Sequence, residues 1–210
     1  MMAVPYSIGE AASLTERTQV RTVVNLSSYA ELAVRLANTA VQAPGEPDSL
    51  GTPAACASAL GDCLAGPVTR RDVVVLQYLR DEFAAIFNSA ATGDDNGAIA
   101  RMNTLLIQYP IQPELVSHDD QRWHVHLAAH GSVADRLAAG AIIGMALTVS
   151  LYGVNRLGVC GIASCRRVFI DSSPGRSRRY CTEHMTAKGN VSTLRRQPDA
   201  GPGHATPAAS

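Results

Sequence analysis

The 210-residue sequence predicts a mainly α-helical protein. A helical body leads into a small C-terminal module in which a cysteine knuckle, a β-hairpin and a helix follow one another in treble-clef-like order. Three observations predict it. Apolar residues recur at helical spacing behind serine and threonine caps over most of the first 155 residues. Only one short stretch alternates apolar and polar residues, as a strand does. Three of the five cysteines fall between positions 160 and 181, where the chain turns basic.

Taking the elements in order, residues 1–27 form an N-terminal segment with a β-branched patch at Val20–Val24. Ser28 can cap a helix from Tyr29 to Ala40, because Leu32, Leu36 and Ala40 share one face. Pro44, Gly45, Pro47 and Pro53 make residues 42–53 a loop. A short Ala-rich helix follows from Ala54 to Leu64, carrying Cys56 and Cys63 as small buried groups. Thr69 caps a long helix to Ala91, with Leu76, Leu79, Phe83 and Phe87 inward. Residues 92–97 turn, and Ala98 to Tyr109 is helical, with Met102, Leu105 and Leu106 inward, until Pro110 stops it.

Trp123 to Leu127 alternates and predicts a strand. Ser132 then caps an apolar helix to Tyr152. Within it, Leu137 to Val154 is eighteen uncharged residues, the lower limit for a membrane span. Thr148, Ser150 and Tyr152, with Asp135, Arg136 and Arg156 close by, favour a buried central helix, and Gly140 and Gly144 allow another helix to approach closely. The body thus covers residues 28–155, the basic module 156–197, and an Ala/Pro/Gly-rich tail 198–210.

Composition narrows the function classes. At 46% hydrophobic and 17% charged the chain can bury a core. Its net charge of zero hides an asymmetry. Residues 1–155 carry nine Arg against fifteen Asp and Glu, a net of −6, whereas residues 156–197 carry nine Lys and Arg against two acids, a net of +7. An acidic body joined to a basic module suits a nucleic-acid or anionic-surface binder. The first twenty residues have no apolar core, which predicts no signal peptide. A cytoplasmic, reducing location follows, where clustered cysteines bind metal more often than they pair.

In the basic module, Cys160-Gly-Ile-Ala-Ser-Cys165 precedes Cys181-Thr-Glu-His184 by fifteen residues. Two close ligand pairs match a tetrahedral structural zinc site. Arg167–Asp171 and Arg178–Tyr180 read as the two strands of a hairpin turned at Ser172–Gly175, with a helix from Thr182 to Arg196 after it. A module of forty residues has too little core to fold alone, so the metal's binding energy would serve as its folding energy.

These residues resemble the CGNR zinc finger, in which paired cysteines precede a Phe/Val-x-Asp-x-Ser stretch and an Arg-Arg-aromatic-Cys run. Val168–Ser173 and Arg178-Arg179-Tyr180-Cys181 match those features. Leu36-Ala37-Asn38-Thr39, Leu79-Arg80-Asp81-Glu82 and Met102-Asn103-Thr104-Leu105 resemble motifs of the ABATE domain that accompanies this finger. The family's last cysteine falls on Met185 and its final arginine on Lys188. A thioether is a poor zinc ligand, so His184, one residue earlier, is expected to complete the set with Cys160, Cys165 and Cys181.

The resemblance implies a stress-linked transcription regulator. The basic residues imply DNA contacts by Arg176, Arg178, Arg179, Lys188, Arg195 and Arg196, with the last helix in the major groove. The body would then dimerise or sense a small-molecule or protein effector, and no membrane is involved. A zinc-stapled protein-interaction or structural module is the alternative. An enzyme is not expected. His118, His124, His126 and His130 cluster near the predicted strand, where a polar face accounts for them, and there is no phosphate loop, nucleophile elbow or HExxH motif.

Overall fold

The computed structural model describes residues 26–40, 45–116, 124–127 and 131–185. Among the described residues, five α-helices build the body: α1 Leu26–Asn38, α2 Pro53–Leu60, α3 Arg70–Ala91, α4 Asp95–Gln108 and α5 Val133–Tyr152. Two antiparallel pairs accompany the helices, β1 Pro113–Val116 with β2 His124–Leu127 in the body, and β3 Leu157–Val159 with β4 Val168–Ile170 in the basic module.

The helices begin where short polar side chains satisfy free backbone N–H groups. Thr69 and Asp72 form a reciprocal capping box on α3, and Ser132 and Asp135 form one on α5. Asp72 does a second job. It is buried, and its Oδ1 also accepts from the Ala134 backbone N–H at 3.1 Å, so one carboxylate ties together the starts of α3 and α5. Burial opposes its ionisation, but the Thr69 hydroxyl and N–H, the Ala134 N–H and the Ser132 hydroxyl hold it well below the usual carboxylate range.

α5 is the central helix and packs most extensively on α1. A Cβ at Gly144 would lie 2.3 Å from Ala30 N, and one at Gly140 would lie 2.8 Å from the Tyr29 ring. The two glycines thus permit the close crossing that their spacing predicts. α5 is long and apolar enough to cross a bilayer by length and composition. Its apolar residues Ala134, Leu137, Ala138, Ala141, Ile142 and Met145 are instead buried in one cluster with Leu36, Leu76, Leu79, Phe83, Phe87 and Leu105.

Several expectations are corrected. α1 starts at Leu26, so Ser28 lies inside its first turn instead of capping it, and the helix ends at Asn38. α4 starts earlier than expected, at Asp95, because Asp94 accepts from Gly97 N at 2.9 Å. The strand expected at Trp123–Leu127 is there over His124–Leu127, with an unexpected partner in β1. β4 pairs with β3 and not with residues 178–180. The knuckle Cys160–Cys165 is therefore the loop of the hairpin and does not precede it.

The body and the basic module also share a core. Leu157 and Val168 are buried in the same cluster as the helices, so packing is continuous across residue 155. The segments 1–25 and 198–210, the residues His118, Asp119, Asp120 and His130, and the side chains of His124 and His126 lie outside the described residues.

Candidate metal centre

The centre is built from the turn between β3 and β4 and the first turn after Tyr180. The Cys160 N–H donates to Arg167 O at 2.9 Å, which closes the hairpin, and the Cys165 N–H donates to Ile162 O at 2.8 Å, which tightens the knuckle. Gly161 N donates to Arg179 O at 2.8 Å and so brings the segment carrying Cys181 alongside. Gly161 suits this close approach, since a Cβ would sit 3.2 Å from that same carbonyl. From Cys181 the chain turns helical through residues 182–185, with the His184 N–H returning to Cys181 O at 3.1 Å.

These turns bring the Sγ atoms of Cys160, Cys165 and Cys181 and the imidazole of His184 within 4.8 Å of one another. His184 Nδ1 lies 3.4 Å from Cys160 Sγ and 3.3 Å from Cys181 Sγ, and the sulfurs of Cys165 and Cys181 are 4.0 Å apart. A tetrahedral ion with bonds of about 2.3 Å to sulfur and about 2.0 Å to nitrogen separates its ligand atoms by roughly 3.5–3.8 Å. The cluster is therefore sized for zinc, and three thiols with one imidazole are the donor types zinc prefers. Met185, at the family's cysteine position, is about half exposed, at 47%.

Local electrostatics also favour metal. Burial opposes ionisation of Cys160, but the backbone N–H groups of Cys181 and Ile162, with His184 and Cys165, bring its thiol down to about 6. Cys165 moves the other way: burial raises it, and the neighbouring sulfurs of Cys160 and Cys181 add to the shift. A cation among them relieves that repulsion.

The loop after β4 is held from within. Buried Asp171 accepts from Ser173 N at 2.8 Å and Arg178 N at 3.0 Å. Burial works against its ionisation, yet these groups and Arg156 keep its carboxyl below the ordinary value. Arg178 is committed inward. Its guanidinium donates to Tyr180 O, Ile170 O and Thr182 Oγ1 at 3.0–3.2 Å and stacks 4.7 Å from the Phe169 ring centroid. That ring lies on Gly158, where a Cβ would approach it to 2.6 Å.

Of the other predicted cationic contacts, Arg176 and Arg179 are exposed, and Arg176 adopts the left-handed conformation at φ 51°. Arg166, also exposed, joins them although the sequence reading passed over it. Lys188, Arg195 and Arg196 lie outside the described residues.

A residue of the body that the sequence presents only as part of a motif also holds the strand that follows the knuckle. Asn38, the last residue of α1, hydrogen-bonds both backbone groups of Val168, two residues before β4 ends. The available signal was an asparagine at a helix end, which marks backbone capping but not which backbone it caps. A polar cleft of about 120 Å³ between α1 and the finger is lined by Glu31, Asn38, Arg167, Arg178 and Thr182.

Residues 30–150 match the family model of ABATE, described as "Putative stress-induced transcription regulator". Residues 156–196 match that of the CGNR zinc finger. No curated protein matches the chain.

Proposed function

The chain belongs to the ABATE family and carries a CGNR zinc finger, and from that premise we propose that it is a DNA-binding transcription regulator. Zinc held by Cys160, Cys165, Cys181 and His184 would staple the finger. Arg166, Arg176 and Arg179, with Lys188, Arg195 and Arg196, would meet the phosphates. The observation that carries this reading is the net charge of +7 on residues 156–197, with three of its arginines, Arg166, Arg176 and Arg179, exposed. The role assigned to the helical body is sensing or dimerisation, the location cytoplasmic, and no catalytic step is involved.

Each phosphate neutralised releases counterions, so log affinity should fall linearly with log salt, by about 0.9 per contact. Titrating the zinc-loaded chain against a mixed-sequence duplex over a salt series tests this. A steep slope that flattens on charge removal at Arg176 and Arg179 supports it, and no measurable binding at low salt removes it.

A second reading has its own supporting observation. Arg178 is spent on Tyr180, Ile170 and Thr182, and the finger shares its core with the body. Both features suit a zinc-stapled structural or protein-docking module. That reading predicts partner binding that ignores Arg176 and Arg179.

A further inference from the structure

The helical body has a second concave site, at the N-terminal end of α5, whereas the finger follows the helix's C-terminal end. It is a recess of about 500 Å³, within the size range of small-molecule sites. The first turns of α3 and α5 and the last turn of α4 surround it. The wall carries Arg71, Val75, Tyr78, Gln108, Tyr109 and Asp135.

Its chemistry is mixed in a specific way. Arg71 is exposed and makes no ion pair among the described residues. Asp135 uses one oxygen to cap Ser132 N at 2.9 Å, and a carboxylate has acceptor positions beyond that. The Tyr78 hydroxyl donates to Gln108 Oε1 at 3.0 Å, which fixes the amide so that its N–H₂ is left to donate. Tyr109 is half-buried, and burial, then Tyr78 and Asp135, raise its phenol, keeping it a neutral donor. Val75 and the two tyrosine rings are the apolar surfaces.

We propose that this recess binds a free α-amino acid with an apolar side chain. Its carboxylate would meet Arg71 and the Gln108 amide, its ammonium Asp135, and its side chain Val75 with the Tyr78 and Tyr109 rings. A simple anion is opposed by Asp135 and a simple cation by Arg71. An uncharged apolar molecule would cover both charges without pairing either. A phosphate ester, with at least one full negative charge and no cation, meets the same objection as the anion. The inference deepens the reading of the body as a sensor, yet the binding step itself requires no DNA.

The test is calorimetric titration of the full zinc-loaded chain with L-phenylalanine, L-leucine, 3-phenylpropionate and 2-phenylethylamine. The amino acids should bind, and each analogue lacking one charge should bind at least about tenfold more weakly, the size of one charge-assisted hydrogen bond. Arg71→Ala, at an exposed position, should weaken phenylalanine by a similar factor with an unchanged helical circular dichroism spectrum. No heat from either amino acid at millimolar concentration overturns the proposal. So does equal affinity for 3-phenylpropionate, which would show that Asp135 recognises nothing. Repeating the DNA titration with phenylalanine separates the two readings: binding without any change in DNA affinity keeps the site and removes its sensing role.

Discussion

The side-chain amide of Asn38 is paired to Val168 as a neighbouring strand would be: Oδ1 accepts from Val168 N at 2.8 Å and Nδ2 donates to Val168 O at 3.1 Å. The last residue of α1 therefore finishes the free edge of β4, and the helical body grips the finger three residues from the Cys165 ligand position. Packing of Leu157 and Val168 into the helical core makes the same connection through apolar contact. Zinc binding and folding of the body are then linked, because an ion that binds only the folded finger stabilises whatever is cooperative with it.

Asn38→Ala should destabilise the chain by about 1–3 kcal/mol, since both Val168 groups lose their partners in a part-buried setting. Asn38→Asp should cost nearly as much, because a carboxylate keeps the acceptor for Val168 N but faces Val168 O with no donor. Urea denaturation of zinc-loaded protein checks both. Wild-type stability in either variant would mean that the grip is incidental.

The glycine pair of α5 gives an asymmetric prediction. Gly144→Ala drives its methyl group into the backbone of Tyr29 and Ala30, at 2.5 and 2.3 Å, which cannot yield without separating α1 from α5. Overpacking against unyielding backbone falls at the upper end of the range, about 3 kcal/mol or more, which exceeds the roughly 1 kcal/mol helix-propensity gain of alanine. Gly140→Ala meets a tyrosine ring at 2.8 Å, and a ring can rotate. Thermal melts should rank wild type above Gly140→Ala and both above Gly144→Ala.

Asp72 predicts a pH dependence. Its folded value is depressed, so the unfolded chain binds the proton more readily and the carboxylate's contribution is complete above the unfolded value near 4. That contribution is lost as pH falls further. Asp72→Asn should be destabilised at pH 7, where the Thr69 N–H, the Thr69 hydroxyl and the Ala134 N–H lose a charged acceptor. The gap between variant and wild type should stay constant down to about pH 5 and narrow below pH 4. Denaturation midpoints for both proteins across that range decide it.

At the metal centre, His184→Ala should lower zinc affinity by about a hundredfold or more, one ligand's share of a structural site. Met185→Ala should leave it unchanged. Competition with a zinc-chelating dye reads both. A large effect at Met185 with none at His184 would transfer the fourth ligand to the family's position.

The arginines should divide into two kinds. Arg178→Ala removes three hydrogen bonds and the stacking on Phe169, so it should lower stability. Arg179→Ala should leave stability alone and reduce the salt dependence of DNA binding by about one contact. Melting temperature and salt slope, measured on both variants, distinguish them.

Much of this was legible in the sequence because it is local. Thr69 and Ser132 read as helix caps from their neighbours alone, and Gly140 and Gly144 share one face by spacing alone. The cysteine cluster was legible for the same reason, two short ligand spacings at either end of one module. What failed was long-range. Residues 167–171 and 178–180 both look like strands, and a Ser-Pro-Gly turn between them offers an obvious hairpin. The real partner of β4 is Leu157-Gly158-Val159, too short and glycine-interrupted to show a period. Arg178 reads as one cation in a basic run until its three acceptors are in place. Asn38 reads as a helix end, since nothing nearby in sequence points to Val168, 130 positions later.

Selection of fragmented host genomic DNA by the purified chain tests the proposed zinc-dependent DNA-binding role most directly. Zinc-loaded protein should enrich a shared short sequence, and a chelated sample run beside it should lose that enrichment. Recovery of nothing above background, from protein shown to contain zinc, would contradict the claim and leave the finger a structural or partner-docking element.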